Sequence, residues 1–424
     1  MIDLKDLSRE ERTLLTIRCE PFYIGFTENK VLSKVHSKLM ENFHPNHKKE
    51  VWVFLTACSQ ALRYGSDGSM FSLRKENYTS ANKRNGSNIS YVKCKRVVET
   101  LDKMGLIVLC RGFYDHYSQT SAKSCFIMNK ELIDMFDQTN LKRFGNPRPV
   151  GSYVELRDSV TKELILDMHK LRSLSHKKEL VRRYNEFLLL FDIRCKGHKV
   201  CTVYKRVFTD DIDQHGRWYS MSTFQTARSY LRQYITIDAI KTTEIDYRQM
   251  HPRLLLSLSG VYKPMSWEPY VDIQDLVGGE EGASRKLSKD ALMCLINAES
   301  ESKARSAFCK GFLDDCEKEY KERRYKGCNI TNKVDMIFMR LKMHNHEIAH
   351  WFGKEKLWAM LQHYDSSIAE IILEKFMLLG KCCLPWHDSF VVEVGDRDLL
   401  IETMRSAWKQ VLGDDKNCFY DIEF

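Results

Sequence analysis

The chain has 424 residues, 43% of them hydrophobic, with 21 Phe and 19 Tyr. That suffices for two or three domains around a substantial core and excludes a disordered chain. Lys and Arg number 66 against 57 Asp and Glu, so the formal charge of +9 permits a polyanionic partner without demanding one. Fourteen cysteines show no CxxC pair, and MIDLKDLSREER does not read as a signal peptide, so reduced thiols in a cytoplasmic setting are expected. No apolar run approaches the ~20 residues of a membrane span.

Residues 1–40 carry helical periodicity and lead into the basic, histidine-containing stretch NFHPNHKKE. VWVFLTACSQAL predicts a helix. VKCKRVVETLDKMG has apolar residues at helical spacing and a stop at Gly105, and LIVLCRGFYD and SCFIMNKEL predict two strands around the polar tip DHYSQTSAK. Helix, glycine and two-stranded wing form the pattern of a winged helix-turn-helix, which would offer Lys93, Lys95 and Arg96 to a nucleic-acid backbone or groove. The alternative is a packing module with a solvated basic face. FGNPRPVGSY, residues 144–153, predicts a domain boundary. Beyond it, ELILDMHKLRSLSHKKELVRRYNEFLLLF predicts a long helical stretch whose basic face holds Lys170, Arg172, Lys177, Lys178, Arg182 and Arg183. From about residue 200, strands and helices alternate. EIDY and LPWHDSFVVEV are the strand candidates, and Pro252 fits the first turn of a helix ending near Gly260. The expected division is 1–145, 146–200 and 201–424, in an α+β fold.

LPWHDSFVVEV places Asp388 among apolar residues, and TTEIDYRQMHPRLLLSLSG places Asp246 at a strand end just before a helix. An unpaired buried carboxylate costs several kcal/mol or shifts its pKa, so it needs a partner. Taken alone, HDS reads plainly as a turn aspartate. Two carboxylates on strand rims, however, can hold a pair of Mg²⁺ ions ~3.5–4 Å apart for phosphoryl transfer. Magnesium completes its shell with waters and phosphates, so two aspartates suffice. Between them, SRKLSKDALMCLINA puts Arg285, Lys289, Met293 and Asn297 four apart on one helix face. That face suits a nucleoside triphosphate, with the cations on its phosphates, Met293 on base or sugar, and Asn297 on the sugar or templating side. The alternative is a solvated face.

These stretches resemble a known superfamily. IDYRQMHPRLL resembles motif A of the family A DNA polymerases, R-x-x-x-K-x-x-x-M resembles their motif B, and HDS resembles motif C in the form that phage-type single-subunit RNA polymerases carry. DQHGRWYSMS, residues 213–222, is similar to the D-x-x-G-R motif of those RNA polymerases, and YDSSIAEIIL, residues 364–373, to the helix before motif C. All five occur in family order across residues 200–424. The resemblance implies a right-hand palm sheet with helical fingers and thumb, and attack of a primer 3′-OH on the α-phosphate of a nucleoside triphosphate. It implies Asp246 and Asp388 as metal ligands, Arg285 and Lys289 on the phosphates, and Lys289 as proton donor to pyrophosphate. His387 would position the primer end, Tyr247 would shape the nucleotide pocket, and Arg217, beside Gly216, would grip template or hybrid phosphates. DNA template and primer, nucleoside triphosphates and two Mg²⁺ (or Mn²⁺) are the implied partners.

The chain departs from the pattern at His251, where the DNA polymerases have glutamate and the RNA polymerases glycine. A bulky residue there favours deoxynucleotides. It also departs at Asn297 and Ala298, where motif B has tyrosine and glycine, and an asparagine could hydrogen-bond a ribose hydroxyl. A DNA polymerase is the main expectation, with a single-subunit RNA polymerase or primase as the alternative. The first 150 residues lack the acidic metal motifs of a proofreading exonuclease. A third reading is a non-catalytic DNA-binding protein on a degenerate palm. HEIAHWFG, residues 346–353, also matches the H-E-x-x-H helix of zinc metalloproteases, although Lys356 stands where a third histidine ligand belongs.

Overall fold

The computed structural model describes all residues except 24, 27, 79–87, 116–119, 145–146, 148–152, 228, 278–282 and 321–332. The fold is mixed α/β, with several sheets. Within the N-terminal part, β1 (Ile2–Asp3), β2 (Gly68–Met70), β3 (Ile107–Arg111) and β6 (Cys125–Met128) make a sheet ordered β1–β3–β6–β2. β4 (Phe113–Asp115) and β5 (Thr120–Ala122) form a separate antiparallel pair between β3 and β6. The helix Tyr91–Lys103 precedes β3. Ser90 caps it, Cys94, Val97, Val98 and Leu101 bury one stripe, and Gly105 ends it at a φ of +75° that costs glycine no Cβ clash. On its other side Lys93 donates to the Asn46 carbonyl at 2.8 Å, Lys95 lies 4.0 Å from Glu99, and Arg96 is exposed. Residues 116–119 of the wing tip expected at DHYSQTSAK fall outside the described residues, as does most of the link FGNPRPVGSY.

The rest of the chain builds two more sheets. β7 (Val154–Arg157) runs parallel to β10 (Tyr204–Thr209), which pairs antiparallel with β11 (Asp211–Ser220). The largest sheet holds β8 (Ile193–Cys195), β9 (His198–Lys199), β12 (Ile235–Ile237), β13 (Ile240–Tyr247), β14 (Cys383–Trp386), β15 (Ser389–Glu393) and β16 (Tyr420–Ile422). Its order is β14–β15–β13–β12–β8–β9, and β16 pairs with the C-terminal end of β13. Because strand side chains alternate, Ile245 and Tyr247 enter the core while Glu244 and Asp246 take the other face. Tyr247 packs 5.5 Å from Trp408 of the helix Arg397–Leu412 and donates to the Met404 carbonyl at 2.8 Å.

One buried cluster spans residues 32–141 and another joins residues 153–418 with Ile17. The stretch expected to be one long basic helix is interrupted. Leu164 bridges to Arg157, and helices occupy only Met168–Ser173 and Ser175–Leu188. Leu180, Val181, Tyr184 and Leu188 bury in the same core as the large sheet. Several of its cations already have protein partners. Lys177 binds Glu370 at 2.6 Å, Arg182 is held by Glu179 and Glu186, and Lys170 reaches the Asp210 carbonyl at 2.7 Å. Arg172 and Arg183 remain exposed.

Candidate active site

Two neighbouring strands bring the two aspartates together. Asp246 on β13 pairs with Ser389 on β15, and Asp388 is the residue before Ser389. The Tyr247 amide also donates to the Asp388 carbonyl at 3.1 Å. Asp388 and His387 form the two-residue turn between β14 and β15, with His387 at φ +62°. A non-glycine residue in this region carries strain, which functional turns often store. Asp246 is half-buried and its Oδ1 is shielded from solvent with no hydrogen-bond partner among the described residues. Burial pushes its pKa up to about 8, helped by the negative charges of Asp388, Glu244, Glu423 and Asp421. A desolvated carboxylate beside a second one favours its protonated form unless a cation compensates the pair.

That donor set fits Mg²⁺, which accepts one or two carboxylates and takes its remaining ligands from water and phosphate. Among the described residues no group of three or more His, Cys, Asp or Glu side chains is arranged as a metal cage.

Glu244 stands on the same face and is already neutralised. Arg232 pairs with it at 2.8 Å and lies over the Trp386 ring, and the Ser389 hydroxyl donates to it at 2.6 Å. Arg217 faces inward rather than outward. Its Nε donates to Asp365 at 2.6 Å, its Nη2 donates to His251 Nε2 at 3.1 Å, and its charge acts on Asp388. Since a guanidinium only donates, His251 Nε2 must be the acceptor and the ring is neutral. Burial and Arg217 together push the His251 pKa down to about 3. Burial likewise raises Asp365 to about 6, although Arg217 opposes that shift.

Gly216 has φ +82°, and a Cβ there would lie 2.7 Å from the Phe208 ring and 3.0 Å from Ser366 Oγ. The glycine therefore lets β11 approach the helix Leu357–Leu378. Tyr247 also differs from expectation. It lies one residue from Asp246 and so points to the opposite, core face. His387 is half-buried, its ring edge-on to Tyr219 at 5.7 Å.

The helix Ala283–Asn297 carries Arg285, Lys289 and Asn297 exposed and Met293 half-buried, on one slowly turning stripe. Arg285 lies over the Tyr270 ring at 4.9 Å and reaches Glu268 at 3.0 Å. A cavity of about 540 Å³ opens beside them, lined by Tyr270, Ser284 and Arg285 among others. Burial and Glu268 push Tyr270 up to about 12, Arg285 pulls the other way, and the Asp388 charge acts on it too. Asp365, Tyr219, Tyr270 and Glu244 were not singled out from sequence.

The H-E-x-x-H stretch is not helical. The helix Val334–His344 ends before it, residues 345–348 turn, and Ala349–Trp351 form a short 3₁₀ segment. Glu347 is paired with Lys263, and His346 is exposed. The two histidines therefore lack the shared helix face a zinc site requires.

None of the described helices is long and apolar enough to cross a membrane. No family model matches the chain, and no curated protein does. Among solved structures, the chain is similar to the POL domain of Pol1 from M. smegmatis in complex with DNA primer-template and dNTP. The two share 11% identity at a TM-score of 0.31, over 63% of this chain and 57% of that one.

Proposed function

We propose that the protein is a template-directed nucleotidyltransferase with a right-hand polymerase active site, most readily a DNA polymerase that extends a primer 3′-OH. The observation that carries this is the pairing of Asp246 on β13 with Asp388 in the adjoining β14–β15 turn, Asp246 being half-buried, unmatched at Oδ1 and held above the usual carboxylate range. In this reading the large sheet is the palm, the helix Ala283–Asn297 belongs to the fingers, and Met168–Leu188 forms part of a thumb. The helix–hairpin module at 91–128 acts as a winged helix that docks nucleic acid. The aspartates would hold Mg²⁺, which would neutralise the attacking and leaving oxygens. Arg285 and Lys289 bind the triphosphate, with Lys289 placed to give a proton to departing pyrophosphate. Arg217, fixed by Asp365, supplies a permanent positive charge beside Asp388. His387 presents its half-buried ring at the hairpin tip toward the primer end.

A neutral, buried His251 leaves little room next to the site, which favours deoxynucleotides. Exposed Asn297 is the feature that keeps a ribonucleotide-using polymerase or primase as the second reading. Both readings share the phosphate-binding stripe, and this can be tested without turnover. With Ca²⁺ in place of Mg²⁺, Arg285→Ala is expected to weaken binding of a fluorescent nucleoside triphosphate by about tenfold, the worth of one charge-assisted contact. Unchanged affinity would remove the helix stripe from the site.

A further inference from the structure

The N-terminal segment crosses from one core to the other. Ile17 lies in the larger core, its carbonyl accepts from the Cys201 amide at 2.9 Å, and Thr16 and Thr223 share a hydrogen bond of 2.8 Å. Next to this crossing, a second cavity of about 340 Å³ lies between the turn Gly65–Asp67 and the β8–β9 hairpin. Arg18, His198 and Lys199 line it, with Asp67 as its one acid among the described lining residues.

The cavity is built to leave positive charge uncompensated. Arg18 meets Asp67 at 3.3 Å, yet its Nε is shielded from solvent with no partner among the described residues. The neighbouring hairpin cations are spoken for, Arg194 by Asp192 at 2.7 Å and Lys196 by Glu10. Lys199, by contrast, is exposed and has no acidic partner among the described residues. Its ammonium sits over Gly65, where φ is +74° and a Cβ would lie 2.9 Å from Nζ. Glycine suits that left-handed backbone, and the end of the lysine lies above it at the cavity mouth. On the facing side Gly197, at φ +80°, leaves open space in which a Cβ would meet nothing within 4 Å.

We infer that this seam is a phosphate-binding site, formed by Lys199 and His198 with Arg18 beside them, that takes a phosphate group of a nucleic-acid strand passing between the two cores. The strand as source rests on the nucleic-acid partner proposed above. Free inorganic phosphate or a nucleotide would use the same chemistry.

The test uses the full chain in EDTA without nucleotides, so it can fail independently of the catalytic reading. Binding of a fluorescein-labelled single-stranded oligonucleotide is followed by anisotropy across a salt series for wild type, Lys199→Ala and Lys199→Glu. Circular dichroism confirms that both variants fold. The expected result is weaker binding in the order wild type, Ala, Glu, with a salt slope shallower by about 0.7 on loss of one contact. In parallel, inorganic phosphate is titrated by thermal shift. If phosphate stabilises wild type but not Lys199→Glu while oligonucleotide binding is unchanged, the site holds and its source is the free anion. If Lys199→Glu alters neither oligonucleotide binding nor the phosphate shift, the proposal is overturned.

Discussion

Asp246→Asn is expected to abolish Mg²⁺-dependent nucleotide transfer, by roughly 10³-fold or more, while making the metal-free protein more stable at pH 8. The first effect follows from losing the charge that would hold the ion, since several kcal/mol of transition-state stabilisation correspond to several powers of ten in rate. The second follows from linkage. The unfolded Asp246 titrates near 3.8 and the folded one near 8, raised mainly by burial and then by Asp388. Between those values the native state holds a proton that the unfolded state has released. Stability is therefore full below about pH 4 and is lost as pH rises toward 8. Asparagine never ionises, so the variant should lack this loss. Thermal midpoints at pH 5 and pH 8 in EDTA should diverge for wild type and stay closer for the variant. Mg²⁺ at pH 8 should raise the wild-type midpoint and leave the variant unmoved. A variant that is less stable at pH 8, or that still responds to Mg²⁺, would separate Asp246 from the metal.

The largest expected loss of stability lies outside the site. Arg206 is fully buried, with its guanidinium paired to Glu370, its Nε donating to the Gly216 carbonyl at 2.7 Å, and its plane over Phe208 and Trp218. Burial alone would raise the Glu370 pKa, but Arg206 and Lys177 outweigh it and hold the group below its ordinary value. Removing one partner leaves the other charge buried and unmatched, at a cost of about 3–5 kcal/mol. Glu370→Ala should lower the urea midpoint accordingly. Lys177→Ala, on the half-exposed side of the same carboxylate, should cost under ~1 kcal/mol. Equal losses in the two variants would contradict this division. Because this cluster joins β10 and β11 to the helix Leu357–Leu378, it also sets where Arg217 and Asp365 meet.

The elements around the site could be read from sequence because their signals are local. EIDY and LPWHDSFVVEV are strands, Gly105 and Gly260 close their helices at positive φ, and the Arg285–Asn297 stripe lies on one helix. The side Tyr247 takes was equally local, since adjacent strand residues face opposite ways, yet the motif's resemblance suggested otherwise. Arg217 was different. Its sequence neighbours give no hint that a carboxylate 148 positions away turns it inward. Lys177 likewise looks like a free cation until Glu370, 193 residues on, meets it. The H-E-x-x-H stretch shows the reverse, a good local pattern whose required helix the fold does not supply.

The most direct test of the central claim is extension of a labelled primer on a DNA template with Mg²⁺, using dNTPs or rNTPs, beside a primer-free lane and an Asp388→Ala control. Extension with dNTPs that the variant loses is the expected result. Products from rNTPs, above all without primer, would move the assignment to a primase or RNA polymerase on the same carboxylate pair. No incorporation of either nucleotide set, or a variant as active as wild type, would contradict the assignment of Asp246 and Asp388 as the catalytic metal ligands.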